Sequence, residues 1–150
     1  MNLPPSNAEI ARKLREIRTL MEFAGEPFFK FTAYERAAET VENAPPLAEL
    51  AAAGRLAELP GIGGSLAAKI AELVASGRSA LYEELTARFP PSLLGVLEIP
   101  GIGIKTARAL FEERGIASVD ALARALEQGE LAGVARLGPK SLANLARSVR

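Results

Sequence analysis

The 150-residue sequence contains no cysteine and no histidine, and only one aspartate, Asp120. Without cysteine there are no disulfides, no thiolate metal sites and no cysteine nucleophile. Without histidine, serine-type triads and histidine-ligated metals are also excluded. No apolar run approaches the roughly 20 residues of a membrane span, and the N-terminus lacks the layout of a signal peptide. A soluble, cytoplasmic chain is therefore expected, with no membrane partner. Net charge is absent too: 18 basic residues balance 18 acidic ones, which argues against a bulk electrostatic grip on nucleic acid. Contacts at a few placed positions remain open. Alternating β-branched stretches are missing, so strands are not expected.

What is present is a series of helices punctuated by glycine and proline. Ser6 and Glu9 form a capping-box pattern ahead of a helix with Ile10, Leu14, Ile17 and Met21 on one face. "PFFKFTAYERAAETV" supplies a second helix that closes before Pro45-Pro46, and "LAELAAAG" a short third ending on Gly54. Further helices are expected over 65–76, 80–89, 104–114, 119–128 and about 139–149. Pro90-Pro91 marks the best boundary. The expected fold is all-α, with two small helical domains over residues 1–89 and 90–150. Charge is uneven: residues 26–58 carry three basic and six acidic side chains, residues 116–150 five and three.

One short pattern is written twice, "LPGIGGSLAAKI" at 59–70 and "IPGIGIKTARAL" at 99–110. A tight turn between helices needs positive φ, which glycine adopts cheaply. Ile62 or Ile102 can tuck between the two helices. The helix that starts after the turn presents N–H groups without intrahelical partners, together with the positive end of its dipole. Around Gly61, Gly63, Gly64, Gly101 and Gly103 an anion can approach the backbone closely, and phosphate is the obvious guest. The plain alternative is a helix–helix turn with no ligand. Phosphate read through amides requires no net positive charge and carries no sequence information. A third, degenerate copy lies at 134–147: "ARLGPKSLA" aligns Leu137 with Ile102, Gly138 with Gly103 and Lys140 with Lys105, but Arg136 replaces the first glycine. That copy is expected to be a worn hairpin whose backbone no longer meets a phosphate.

These turns resemble helix-hairpin-helix DNA-binding motifs. The order "FFKFTAYERAAETV", "ELPGIGGSLAAKIAELVASGR", "EIPGIGIKTARALFEERGIASVDAL" is similar to the N-terminus of bacterial family X, polymerase-β-like DNA repair polymerases. The resemblance covers nearly the whole chain. It implies a lyase-type domain over 1–89 that grips the 5′-phosphate of a gap. Residues 90–150 become a thumb- or fingers-like subdomain on the primer strand. It further implies a monovalent cation, Na+ or K+, held by backbone carbonyls of Ala57, Leu59 and Ile62, and of Leu97, Ile99 and Ile102. Family polymerases cluster three palm aspartates around magnesium. Asp120 stands instead at a helix start, where the dipole accounts for it. No palm-like segment follows Arg150, so the resemblance implies either the DNA-binding N-terminal part of such an enzyme, separated from its palm, or a free-standing relative of it, in both cases a monomer and nucleoid-associated in a bacterium.

By the same resemblance, Lys69 takes the lyase-nucleophile position, where its amine forms a Schiff base with an abasic sugar. Apolar neighbours Leu66, Ile70 and Leu73 and the nearby positive helix end favour the neutral amine. Lys30 and Tyr34 match the residues that hold the 5′-phosphate. Two departures stand out: Ser65 occupies a place where a phosphate-binding lysine is expected, and Ala68 one where an acid is expected. Lys105 and Thr106, just after the second turn, are candidate phosphate contacts, as is Lys140 after the third. Of Phe28, Phe29 and Phe31, at most one is expected at the surface to stack on a base. Arg12, Lys13, Arg15 and Arg18 read as a solvated helix face, or as a flank contact to DNA. A protein-docking module is the reading from another class. Salt separates the two, because phosphate binding weakens steeply as salt rises.

Overall fold

The computed structural model describes residues 4–134 and 137–149, and every regular element among them is helical. The chain divides into two compact units, Met1–Leu85 and Thr86–Arg150, with the division inside α5 (Ala80–Arg88).

The first unit is built on α1 (Asn7–Phe23) and α2 (Phe28–Glu42), which share its largest helix–helix interface. Glu9 N–H donates to Ser6 Oγ at 3.1 Å and Ser6 N–H to Glu9 Oε1 at 3.4 Å, so the capping box forms. Ile10, Leu14, Ile17 and Met21 fall on one face because they recur every three or four residues, and all are buried. Each such side chain withdrawn from water contributes about 1.5–3 kcal/mol. Asn7 fastens the corner after α2: its amide donates to Val41 O and Ala44 O, and its oxygen accepts from Leu47 N–H. α3 (Leu47–Ala52) and a single 3₁₀ turn (Leu56–Glu58) then lead into α4 (Gly64–Ser76), which ends on Gly77 at φ 71°. The 3₁₀ turn has no counterpart among the expected elements, since three residues are too few to show a period.

The second unit holds α6 (Leu93–Leu97), α7 (Ile104–Arg114), α8 (Val119–Glu127) and α9 (Pro139–Ser148). Leu93, Val96, Leu110, Leu122, Leu131 and Leu145 form its core. Ser118 Oγ accepts from Ala121 N–H at 3.1 Å, and Asp120 lies in the first turn of α8, as dipole complementation requires. Gly95 lies where α6 meets α8: a Cβ there would stand 3.4 Å from Val119 Cγ2, a close but ordinary contact.

Candidate nucleic-acid interface

Three turns of the chain agree in their cap torsions and hydrogen bonds at the residues described. The residues that cap α4, α7 and α9 are Gly63 at φ −86°, ψ −177°, Gly103 at −91°, 177° and Gly138 at −87°, 176°. Their hydrogen bonds repeat as well. Ile62 N–H donates to Leu59 O at 3.1 Å, Ile102 to Ile99 at 3.1 Å, and Leu137 to Val134 at 3.2 Å. Ala67, Ala107 and Leu142 donate to the three capping carbonyls at 2.8, 2.9 and 3.0 Å. Ile62, Ile102 and Leu137 are all buried and peg the turn to its helices. The third copy thus keeps the backbone geometry of the other two at its described residues, although its sequence has drifted. Backbone hydrogen bonds tolerate that drift as long as the apolar peg and the capping glycine stay. Position 136, where arginine replaces glycine, lies outside the described residues.

Glycine has two different causes within one turn. Gly61 and Gly101 have φ 75° and 92°, so the turn itself demands them. Gly63 and Gly103 have extended backbone that any residue adopts, and a Cβ on either would meet nothing within 4 Å; the same open space faces Gly64, at the start of α4. Neither torsion nor packing requires those three glycines; at Gly63 and Gly103 the one local preference is that of a helix cap. None of the three caps has a side-chain hydrogen bond, so the amides at the start of each helix keep no side-chain acceptor.

The side chains around the first turn are only partly brought together. Lys69 is half-buried on α4, beside buried Ile70 and Leu73, with Nζ 3.5 Å from Ser65 Oγ. Lys30 lies exposed on α2 and pairs with Glu26 at 3.8 Å. Tyr34 is buried, and burial pushes its phenol above the usual range. No described hydrogen bond or ion pair joins Lys30 or Tyr34 to Ser65 or Lys69. A hydrogen bond that the sequence does not announce links α2 to the turn: Thr40 Oγ1 donates to Pro60 O at 3.1 Å. A lone threonine on a helix carries no signal for that. At the second turn Lys105 is exposed and Thr106 half-buried.

Two expectations are corrected. Phe28 and Phe29 are both exposed, at 72% and 71%, while Phe31 is buried at 7%. The buried stripe of α2 begins at Phe31 and runs through Tyr34, Ala38 and Val41; Phe28 continues that face at the helix start, its ring edge-on to Phe31 at 5.5 Å but otherwise in solvent, and Phe29 points off it. The basic stretch of α1 keeps about a third of its side-chain surface in solvent, but most of its charges are already paired rather than open for DNA. Arg15 Nε and Nη2 bind Glu35 at 2.8 Å and Glu42 at 2.6 Å, holding α1 to α2. These bonds push the guanidinium further above its ordinary range, Glu42 most, and hold the Glu42 carboxyl below its own. Arg18 pairs with Glu22 at 3.1 Å, and Lys13 lies 3.7 Å over the Tyr82 ring.

The carbonyls at the turns differ in how far they are satisfied. Leu59 O and Ile99 O each accept the N–H noted above, whereas Ala57 O, Ile62 O, Leu97 O and Ile102 O accept from no described donor. No cluster of acidic side chains able to hold a metal occurs among the described residues. No helix among them is long and apolar enough to cross a membrane.

Comparison with known proteins gives the same two-part division. Residues 5–79 match the family model described as "Helix-hairpin-helix domain" and residues 93–150 match "SAM-like Helix-hairpin-helix tandem". The chain is 32% identical over 133 residues to the DNA polymerase/3′-5′ exonuclease PolX of Bacillus subtilis (strain 168). That alignment takes in 89% of this chain and 23% of the relative, so the chain spans about a quarter of that protein's length. With the first model covering half of its length, the chain belongs to the helix-hairpin-helix family.

Proposed function

We propose that this chain binds gapped, nicked or recessed duplex DNA without regard to sequence, as the DNA-binding N-terminal part of a PolX-type repair polymerase and without polymerase chemistry of its own. The observation that carries the reading is the glycine set. Gly63, Gly64 and Gly103 are required neither by backbone torsion nor by packing, and each stands at unbonded helix amides. A phosphate oxygen seated there accounts for them: amides and helix dipole bind it, and a missing Cβ lets it approach. Gly61, Gly101, Ser65, Lys105 and Thr106 frame the same two sites. Phe28 and Phe29, exposed beside Lys30, suit stacking on unpaired bases, which favours a gap over intact duplex. Na+ or K+ fits the carbonyls of Ala57, Leu59 and Ile62, and of Leu97, Ile99 and Ile102. Four of the six lack a donor, and a cation there would place positive charge beside the phosphate.

The test is fluorescence anisotropy of a labelled gapped duplex across a KCl series, for wild type and for Gly63→Val/Gly103→Val. Phosphate binding predicts log K falling against log[salt] with a slope of about −0.9 per phosphate neutralised, and a shallower slope in the variant. Affinity that ignores salt would replace this reading with a protein-docking one.

A second reading rests on the half-buried Lys69 at the first turn. Its amine would attack the C1′ aldehyde of an abasic 5′-deoxyribose phosphate and lose water to form a Schiff base. Loss of a C2′ proton to a base or water would then break the C3′–O bond and free the DNA strand with its 5′-phosphate, and water would hydrolyse the imine to release the sugar and the lysine. Lys30 and Tyr34 would hold the 5′-phosphate. Borohydride trapping of a covalent adduct, abolished in Lys69→Ala, tests it.

A further inference from the structure

At their described residues the three turns share cap torsions and hydrogen bonds, but not a partner for their carbonyls. By the repeat, Ala132, Val134 and Leu137 stand where Leu97, Ile99 and Ile102 stand in the second turn and Ala57, Leu59 and Ile62 in the first. Leu59, Ile99 and Val134 play one part, each accepting from the peg residue three positions on. Ala57 O and Leu97 O have no described donor. Ala132 O differs: Arg114 Nη2 donates to it at 3.4 Å, and Arg114 Nε donates to Glu130 O at 3.2 Å. The same Nη2 lies 4.0 Å from the Cβ position of Gly133, so the guanidinium is laid along the approach to the third turn. Arginines near a helix end often bind the last carbonyls of their own helix. Here only the bond to Glu113 O is of that kind; the other two reach 16 and 18 residues along the chain.

We propose that the Arg114 guanidinium takes, at the third turn, the place that a monovalent cation takes at the first two. This rests on the cation reading above. Carbonyl oxygens that face a common point are stabilised by a positive charge that replaces water. A guanidinium supplies that charge permanently, with donors in a fixed fork. The chain therefore takes two monovalent ions rather than three. The third turn holds its shape whatever the salt, while the first two respond to the ion present.

The test is amide NMR on the whole chain, with and without gapped duplex, as KCl replaces choline chloride at constant ionic strength. In wild type, resonances of residues 61–64 and 101–104 shift with K+, and those of Leu137, Gly138 and Lys140 do not. In Arg114→Met those three become K+-sensitive. Arg114→Lys, which keeps a charge on the same helix, leaves them silent. A K+ response at all three turns of the wild type overturns the substitution and leaves the cation reading standing. So does an Arg114→Met third turn that stays silent while the first two respond. Silence at every turn, in wild type and variants alike, overturns both.

Discussion

The first and second turns have one backbone and two different sets of side chains, and under the proposed function that difference would separate grip from chemistry. Cap torsions agree within a few degrees, and the pegs Ile62 and Ile102 are buried alike. After the cap they part. The first turn continues Gly64, Ser65 and, on the next turn of α4, Lys69; the second continues Ile104, Lys105, Thr106 and Ala109. A backbone that holds phosphate by amides needs no particular side chain, so those positions are free to serve another purpose. In the first turn they place a half-buried lysine whose amine lies beside a hydroxyl; in the second, an exposed lysine.

The sharpest way to break this comparison is to remove the two lysines one at a time. With a 5′-deoxyribose-phosphate gap, Lys69→Ala should abolish borohydride trapping and Lys105→Ala should leave it intact, read as adduct on a denaturing gel. Equal trapping in both variants would remove chemistry from the first turn. Next in size come the pegs. Ile62→Ala and Ile102→Ala should each destabilise the unit that contains it by about 2–4 kcal/mol, measured by urea unfolding. A near-zero cost at either would mean that the two turns are not built alike. Smaller again are the capping glycines. Gly63→Val and Gly103→Val should each weaken gapped-DNA binding roughly tenfold, or about 1.4 kcal/mol. Stability should fall by about 0.5–1 kcal/mol, because open space receives the Cβ but valine caps a helix less well than glycine. Gly61→Ala should instead cost about 1–2 kcal/mol of stability, since φ there is 75°.

The smallest expected effect distinguishes the units by acid. Arg15 holds Glu42 below its reference value of 4.5, so the folded carboxyl titrates lower than the unfolded one. The stability this contributes is fully present above about pH 4.5 and is lost as pH falls through the folded value. Glu42→Gln should flatten the acid limb of the first unit's unfolding curve, followed by amide exchange between pH 3 and 6. An unchanged limb would show the Arg15 pair contributing nothing there.

Much of this is legible in the sequence, for particular reasons. The stripe Ile10, Leu14, Ile17, Met21 and the Ser6–Glu9 pair are local patterns, and local patterns specify helices and their ends. The turns are legible because glycine and proline restrict backbone conformation directly. The third turn is harder to read: with Arg136 in place of glycine it looks worn, but its hydrogen bonds depend on Leu137 and Gly138. The exposure of both Phe28 and Phe29 runs against composition, which favours burying aromatics; only the start of the α2 stripe tells otherwise.

The sequence by itself determined the helices, their caps and the three turns, since each is a matter of torsion preference and spacing within about a dozen residues. The tertiary structure alone decided which charges are already engaged and which glycines the fold does not need. Arg15 is drawn to Glu35 and Glu42, Arg114 to Glu130 and Ala132, and open space lies before Gly63 and Gly103. These depend on groups 16 or more positions apart, or on nothing being there at all. Neither leaves a periodic trace in the chain, because long side chains find their partners only after the backbone has brought them within reach.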